Sequence, residues 1–211
     1  LLARHPGLVI DNCAGGGQRI DLEALTRSVP LWRSDLQCSP FDPVAMQTQS
    51  QGLAPWVPLS AGVCDGPSAY AMRSALGPAM VTHWSSQALD GGAGLPVDQI
   101  RDLMDEALAM RKYVYGDFYP LLAWSQSADA WAAWQYDRPD LGEGLVVAFR
   151  RARSPFPRCE ARLQGLDPDA DYCLYARDDR TARRLTGRQL MEEGVAVTID
   201  QRPGSALFTY K

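Results

Sequence analysis

The hydrophobic pattern of this chain changes its period once, near residue 125, and that change limits the folds open to it. Before it, short apolar runs alternate with stretches whose apolar residues recur at helical spacing, the order of strands and crossover helices that builds a parallel sheet. Strands are expected at 7–12, 29–34, 56–63 and 79–84, and helices at 21–28, after Phe41, at 67–76 and at 97–115. In the last helix Ile100, Leu103, Met104, Leu108 and Met110 follow near-helical spacing, while Asp98, Arg101, Asp102 and Glu106 supply a polar side. Beyond Ala123 the period falls to two, with strands expected at 130–135, 144–150, 158–163, 171–176, 194–199 and 206–210. The segments RPDLGEG, SPFP, LDPDAD, DDRT and QRPGS between them hold Pro, Gly or Asp where a chain reverses.

Two units follow from this pattern, 1–125 and 126–211. Parallel sheets are normally covered on both faces, and an eight-stranded barrel is their commonest closed form. The first unit is therefore expected to be half of a (β/α)8 TIM barrel, and the second an antiparallel β-sandwich-like domain. Leu1 rather than Met opens the chain and an apolar run follows at once, so its start reads as truncated, with barrel strands missing upstream and strand edges left bare.

The 211 residues are 46% hydrophobic and 22% charged, enough apolar side chain for a sizeable core. With 21 basic and 25 acidic residues the formal charge is −4, without the cationic stripe that a phosphate backbone demands. Neither a nucleic acid nor a membrane is an expected partner, since no apolar run reaches the roughly 18 residues that a bilayer requires. Five scattered cysteines (Cys13, Cys38, Cys64, Cys159, Cys173) form no C-x-x-C pair and no metal-ligand cluster, so a reducing, cytoplasmic setting is expected and no metal. Only Lys112 and Lys211 are lysines, which leaves almost no place for a catalytic one.

Chemistry concentrates in DNCAGGGQRID, residues 11–21, directly after the first expected strand. Three consecutive glycines let the backbone approach a ligand closely and take dihedrals that a β-carbon forbids. The run matches neither G-x-G-x-x-G nor a phosphate loop with Gly-Lys-Ser/Thr. Bare amides suit sugar hydroxyls, and a tight turn without a ligand is the alternative. The next strand ends in Leu31-Trp32-Arg33-Ser34-Asp35, which delivers an acid to the edge where barrel enzymes carry catalytic groups. An Asp in this setting also serves as a cap or a turn residue, the role assigned to Asp21 at the start of a helix.

In combination, DNCAGGGQRIDLE and RSVPLWRSD resemble glycoside hydrolase family 36 α-galactosidases, whose members show Cys-x-x-Gly-Gly-x-Arg-x-Asp followed by Trp-x-Ser-Asp. Gly52-Leu53-x-x-Trp56-x-Pro58 and the β-rich half resemble the same family, so the likeness spans nearly the whole chain. It implies that the barrel strands present are the fifth to eighth. It also implies a retaining hydrolase of terminal α-galactosides of the melibiose or raffinose type, with Asp35 as general acid and then base, and Cys13 and Gly16 on the galactose. The family's nucleophile lies in a Lys-x-Asp segment, whereas here Lys112 is followed by Tyr113 and Val114, so this chain lacks it and is expected to be inactive alone. The partner implied is a small galactoside, with no cofactor, in a parent enzyme that is a homo-oligomer. A related α-N-acetylgalactosaminidase or galactosyltransferase would use the same acid, and a galactoside-binding or structural module without hydrolysis is the rival from another class.

Two carboxyls about 5 to 5.5 Å apart suit double displacement, in which one attacks the anomeric carbon and the other protonates the leaving oxygen. The acid must stay protonated, so a guanidinium at Arg33 is expected to point away from Asp35. Trp32, Trp56 and Trp84 fall at strand ends, where a ring can stack on a pyranose or simply pack in the core. The same two readings apply to His83, at the pocket mouth or within the barrel. Trp131 and Trp134 read as core of the β half, Arg150 to Arg153 as a solvated strand end, Arg183-Arg184 as a surface turn, and Cys38 and Cys64 as small buried groups.

Overall fold

The computed structural model describes residues 1–13, 15–38, 41–57, 59–83 and 96–211. The N-terminal half comprises α1 (Leu22–Leu25), a 3-10 turn (Asp35–Gln37), α2 (Pro43–Leu53), β1 (Ala61–Cys64), α3 (Ala69–Ser74), β2 (Ala79–Thr82) and α4 (Val97–Met110). Each helix from α1 to α3 starts on a side-chain cap: Asp21 accepts from Ala24 N, Asp42 from Val44 N and Ser68 from Ala71 N. Pro43 opens α2, at a position where its missing amide costs nothing.

Among the described residues this half does not form half a barrel. β1 and β2 pair in parallel over four residues, and otherwise a single parallel bridge joins Asp11 to Val29. The expected strands 7–12 and 29–34 thus exist only as this bridge, with Asn12 N donating to Val29 O (2.8 Å) and Val29 N to Ile10 O (2.9 Å). A parallel ladder needs neighbours along its length, and among the described residues no strand pairs along these segments; Val9 is 74% exposed. The expected strand at 56–63 shortens to β1 because Trp56 and Val57 continue the turn after α2, donating to Leu53 O. Trp84, at the end of the fourth expected strand, and Pro58 lie outside the described residues.

The remainder is antiparallel: β3 (Asp117–Pro120), β4 (Trp131–Arg138), β5 (Glu143–Arg150), β6 (Arg158–Ala161), β7 (Asp171–Ala176), β8 (Thr181–Thr186), α5 (Gly187–Glu192), β9 (Val195–Thr198) and β10 (Gly204–Tyr210). Six strands form one sheet in the order β3-β4-β5-β10-β7-β8, and β6 and β9 form a second. The large sheet starts at Asp117, ahead of the period change.

Strand alternation sends two apolar sets to opposite faces. Ala132, Trp134, Tyr136, Leu145, Val147, Phe149 and Leu207 pack against Leu76, Met110, Tyr113 and Val114 from α3, α4 and the turns after them. Ala133, Val146, Ala148 and Phe208 pack against Ala161, Val195 and Val197 of the small sheet and Leu190 of α5. The central strands are thus buried on both sides and read as nearly continuous apolar runs. Trp134 is a core residue, as expected, but on the helix side. Trp131 packs on the other.

Arg150 and Arg151 are not solvated, as expected for a strand end, but 5% and 0% exposed. Arg151 Nε donates to Gln47 Oε1 of α2 (3.0 Å), and Nη1 to the Ser125 and Ser127 carbonyls (2.7 and 2.8 Å). Arg150 donates to the Ile199 and Asp200 carbonyls, both at 2.8 Å. Chain reversals surround the end of β5 with backbone oxygens, and guanidinium groups satisfy them. Arg183 and Arg184 sit in β8 rather than in a turn. Cys64 is buried and Cys38 exposed, and all five cysteines are unpaired.

Candidate functional site

Gly15, Gly16 and Gly17 all have positive φ, +55°, +67° and +86°, dihedrals that a β-carbon disfavours. Asn12 Nδ2 donates to Arg19 O (2.7 Å) and closes the loop from within. The loop then lies against the end of the next segment. A β-carbon on Gly16 would meet Asp35 Oδ2 at 2.8 Å, and one on Gly17 would meet Arg33 O at 2.6 Å. The glycine run therefore clears space for the Asp35 carboxyl group.

Asp35 opens its 3-10 turn under a capping box. Ser34 Oγ accepts from Leu36 N (3.1 Å), and the Gln37 carboxamide oxygen accepts from the Arg33 and Ser34 amides. Gln37 is fully buried and donates to Ala61 O of β1 (3.1 Å), which ties the turn to the parallel pair. The Asp35 side chain is exposed.

Arg33 points away from Asp35. Its side chain is 4% exposed and runs along α2, with Nε donating to Gln49 Oε1 (3.0 Å) and Nη2 to Met46 O (3.0 Å) and Ser50 Oγ (3.2 Å). All three acceptors are neutral, and burial pulls the guanidinium down to about 10. Gln49 Nε2 in turn donates to Ser34 Oγ.

A cleft of about 1310 Å³ opens beside the turn, between Gly16, Gly17 and Ser34, the outer face of α2, and the strap at 120–126. Trp56 (80% exposed) and Trp124 (54%) stand on its walls, and Trp124 Nε1 donates to Thr48 O (3.1 Å). Asp35 adjoins this cleft through Gly16.

Of the residues singled out from sequence, Gly16 and Asp35 come together. Cys13, an exposed thiol, lines a smaller neighbouring cleft with Asn12, Arg19 and Asp21. Trp32 faces His83, ring centroids 5.9 Å apart, and His83 also meets Phe41 at 5.0 Å. Sequence reasoning passed over Gln37 and Gln49. The signal for Gln49 is the uncharged run QTQSQ at 47–51, polar residues on a helix where no charge obliges them to face water, and for Gln37 it is the Ser-x-x-Gln spacing from Ser34. Among the described residues no group of three His, Cys, Asp or Glu side chains is arranged to hold a metal ion.

Residues 131–209, the β-rich unit, match the model of the glycosyl hydrolase family 36 C-terminal domain. The chain's relatives are α-galactosidases. Alpha-galactosidase AgaA of Geobacillus stearothermophilus is 28% identical over 93% of this chain, which spans 27% of the length of that protein. A solved α-galactosidase from Lactobacillus brevis superposes on the whole chain with a TM-score of 0.77 at 18% identity, over 30% of its own length. A G. stearothermophilus AgaA variant solved in complex with raffinose gives a TM-score of 0.75 at 22% identity, with 100% of this chain and 29% of that one covered.

Proposed function

We propose that these residues form the C-terminal part of a retaining hydrolase of terminal α-galactosides, in which Asp35 protonates the departing glycosidic oxygen and then activates water. The placement of the Asp35 carboxyl against Gly16, where a β-carbon would collide with it, carries the reading. A loop free of side chains beside a carboxyl leaves room for a sugar ring, with backbone amides for its hydroxyls and an acid for its anomeric oxygen. The orientation of Arg33 supports it too, because a guanidinium facing Asp35 would hold the acid ionised.

The chain has no Lys-x-Asp segment, so the attacking carboxylate comes from residues outside it. No cofactor enters, since one carboxyl supplies covalent catalysis and the other proton transfer. The substrate is a small galactoside of the kind that the raffinose-bound relative holds. The unpaired cysteines fit a reducing, cytoplasmic setting. A homo-oligomeric parent enzyme belongs to the same proposal.

Asp35→Ala in the catalytically complete polypeptide tests the role. Galactosides with poor leaving groups should slow by about 10² to 10⁴, while activated aryl galactosides keep their rate of glycosyl transfer to the enzyme. Equal losses on both would remove Asp35 from the acid role. The exposure of Asp35 favours a second reading, a galactoside-binding module without hydrolysis, in which the carboxyl only accepts hydrogen bonds from sugar hydroxyls. Calorimetric titration of this chain with galactose addresses it, and no heat at millimolar sugar would rule the module out.

A further inference from the structure

Asp35 stands on a turn of only three residues, and so short a helix does not hold its own shape. Its start is fixed from outside. Ser34 Oγ receives two donors, the Leu36 amide that opens the turn and the carboxamide of Gln49 from the facing side of α2. The orientation of that carboxamide is not free, since Arg33 Nε can only donate, so Gln49 must present Oε1 to Arg33 and Nε2 to Ser34. Arg33 is locked in turn by Met46 O and Ser50 Oγ, both on α2. A directional path thus runs from a buried cation through one amide to the cap beneath Asp35.

We propose that Gln49 is a positioning residue for Asp35, acting through Ser34: it holds the hydroxyl that sets where the turn begins and hence where the carboxyl lies against Gly16. This inference rests on the reading of Asp35 as the acid. Gln49 bonds to Arg33 and Ser34 and not to the Asp35 carboxyl. Its carboxamide carries a charge-assisted bond from Arg33, the stronger kind, into a cap hydroxyl that a helix start needs. A side chain that merely filled space between α2 and the turn would need no such polarity.

The experiment compares Gln49→Leu, Gln49→Glu and Ser34→Ala in the catalytically complete polypeptide, each on galactosides with poor and with activated leaving groups. Gln49→Leu keeps the bulk and loses both polar contacts. It should lower kcat on poor leaving groups roughly five- to tenfold, the scale of one lost cap, with KM and the activated substrates unchanged. Gln49→Glu still accepts from Arg33 and accepts from the Ser34 hydroxyl, which becomes the donor, so it should restore the rate to within about twofold. Ser34→Ala should reproduce the leaving-group-dependent loss, and the Ser34→Ala, Gln49→Leu double variant should be no slower than the worse single one, because both remove the same link.

Losses that multiply in the double variant, or a Gln49→Leu enzyme equally impaired on both substrates, overturn the inference. Should Gln49→Leu not fold, Gln49→Glu and Ser34→Ala decide: an unrescued Glu variant, or a Ser34→Ala enzyme with equal losses on both substrates, has the same effect. Asp35→Ala run in the same series keeps the two failures apart. Without a leaving-group effect there, the reading of Asp35 fails; with one there and none at Gln49, only the positioning role does.

Discussion

Side chains that the apolar pattern ignores govern this protein at the scale of single residues. Asp137 of β4 is 5% exposed and accepts from the Tyr210 hydroxyl (2.5 Å), which itself accepts from Gln135 Nε2 (2.7 Å). Gly144 lies opposite, where a β-carbon would sit 2.0 Å from the Tyr210 ring. Burial raises the Asp137 carboxyl above its ordinary value near 3.8, the Tyr210 bond partly offsets this, and Asp117 adds to the rise. The folded state therefore binds its proton more tightly than the unfolded chain does. The stability this confers is complete below the ordinary carboxylate value and is lost as pH rises through the raised one. Asp137→Asn keeps an acceptor for Tyr210 and removes the titration. Urea midpoints of the two proteins should diverge as pH rises above the ordinary carboxylate value, the original falling relative to the variant, and parallel curves would show that folding does not raise the Asp137 carboxyl. The sequence announces Asp137 only as one more charge. What it does not contain is the distance between β4 and β10, and for the same reason Arg151 reads as solvent-facing although the Ser125 and Ser127 carbonyls enclose it.

Legibility at the scale of elements follows which face of each is apolar. β5, β7 and β10 stand out because their residues are apolar in runs or alternate, and β7 runs over 171–176 as expected. β8 is missed since its TARRLT is exposed at the sheet edge, and β3 because DFYP mixes an acid and a proline into four residues. α2 is weak in sequence for a subtler reason: its buried side is Met46, Gln47, Thr48, Ser50 and Gln51, mostly polar groups bonded to other elements. Of the candidate site, the glycine run and Asp35 were legible through their order along the chain. Gln49 was not, because its partners Arg33 and Ser34 are brought to it by the fold. β1 illustrates another constraint hidden in a single letter. A β-carbon on Gly62 would stand 2.5 Å from Ala75 O and 2.6 Å from Ala75 Cα, so α3 rests backbone to backbone on the strand. Gly62→Ala should destabilise the protein by about 2 kcal/mol, with the urea slope unchanged. Ala75→Gly added to it should give no relief, since the clash is with main chain. Recovery in that double variant would mean that the side chains, not the backbones, set the spacing.

For the whole molecule, the question is what makes the N-terminal helices and the β sheet one body. Apolar contact does part of it, with Leu76, Met110 and Val114 buried against Trp134, Val147 and Phe149 across the point where the period changes. Arg73 of α3, 5% exposed, adds a charged link beside the Arg151 bond to Gln47 of α2. It meets both Glu106 oxygens of α4 (2.7 and 2.9 Å) and Asp178 after β7 (2.7 Å), and it donates to Ser205 O of β10 (3.4 Å). Asp178 also accepts from Leu207 N (3.1 Å), so one cation joins two helices to β10 and to the turn after β7. Burial alone would lower the Arg73 pKa, but the bonds to Glu106 and Asp178 outweigh it and leave the group above its usual value. Asp178 is half in water, so its limb contributes little, whereas the Glu106 side chain is 18% exposed and has no such screening. Arg73→Met should therefore cost about 3 kcal/mol, most of it from leaving Glu106 without its cation, and Arg73→Met with Glu106→Leu should recover the larger part of that loss. Urea unfolding followed both by far-ultraviolet dichroism and by tryptophan fluorescence checks this. Both probes should move together in each variant, because Trp134 lies in the core that the helices cover. If the single and double variants unfold at the same midpoint, the cost lies in lost packing at Arg73 rather than in a stranded charge, and the Arg73–Glu106 pair adds nothing to the joint between the two halves.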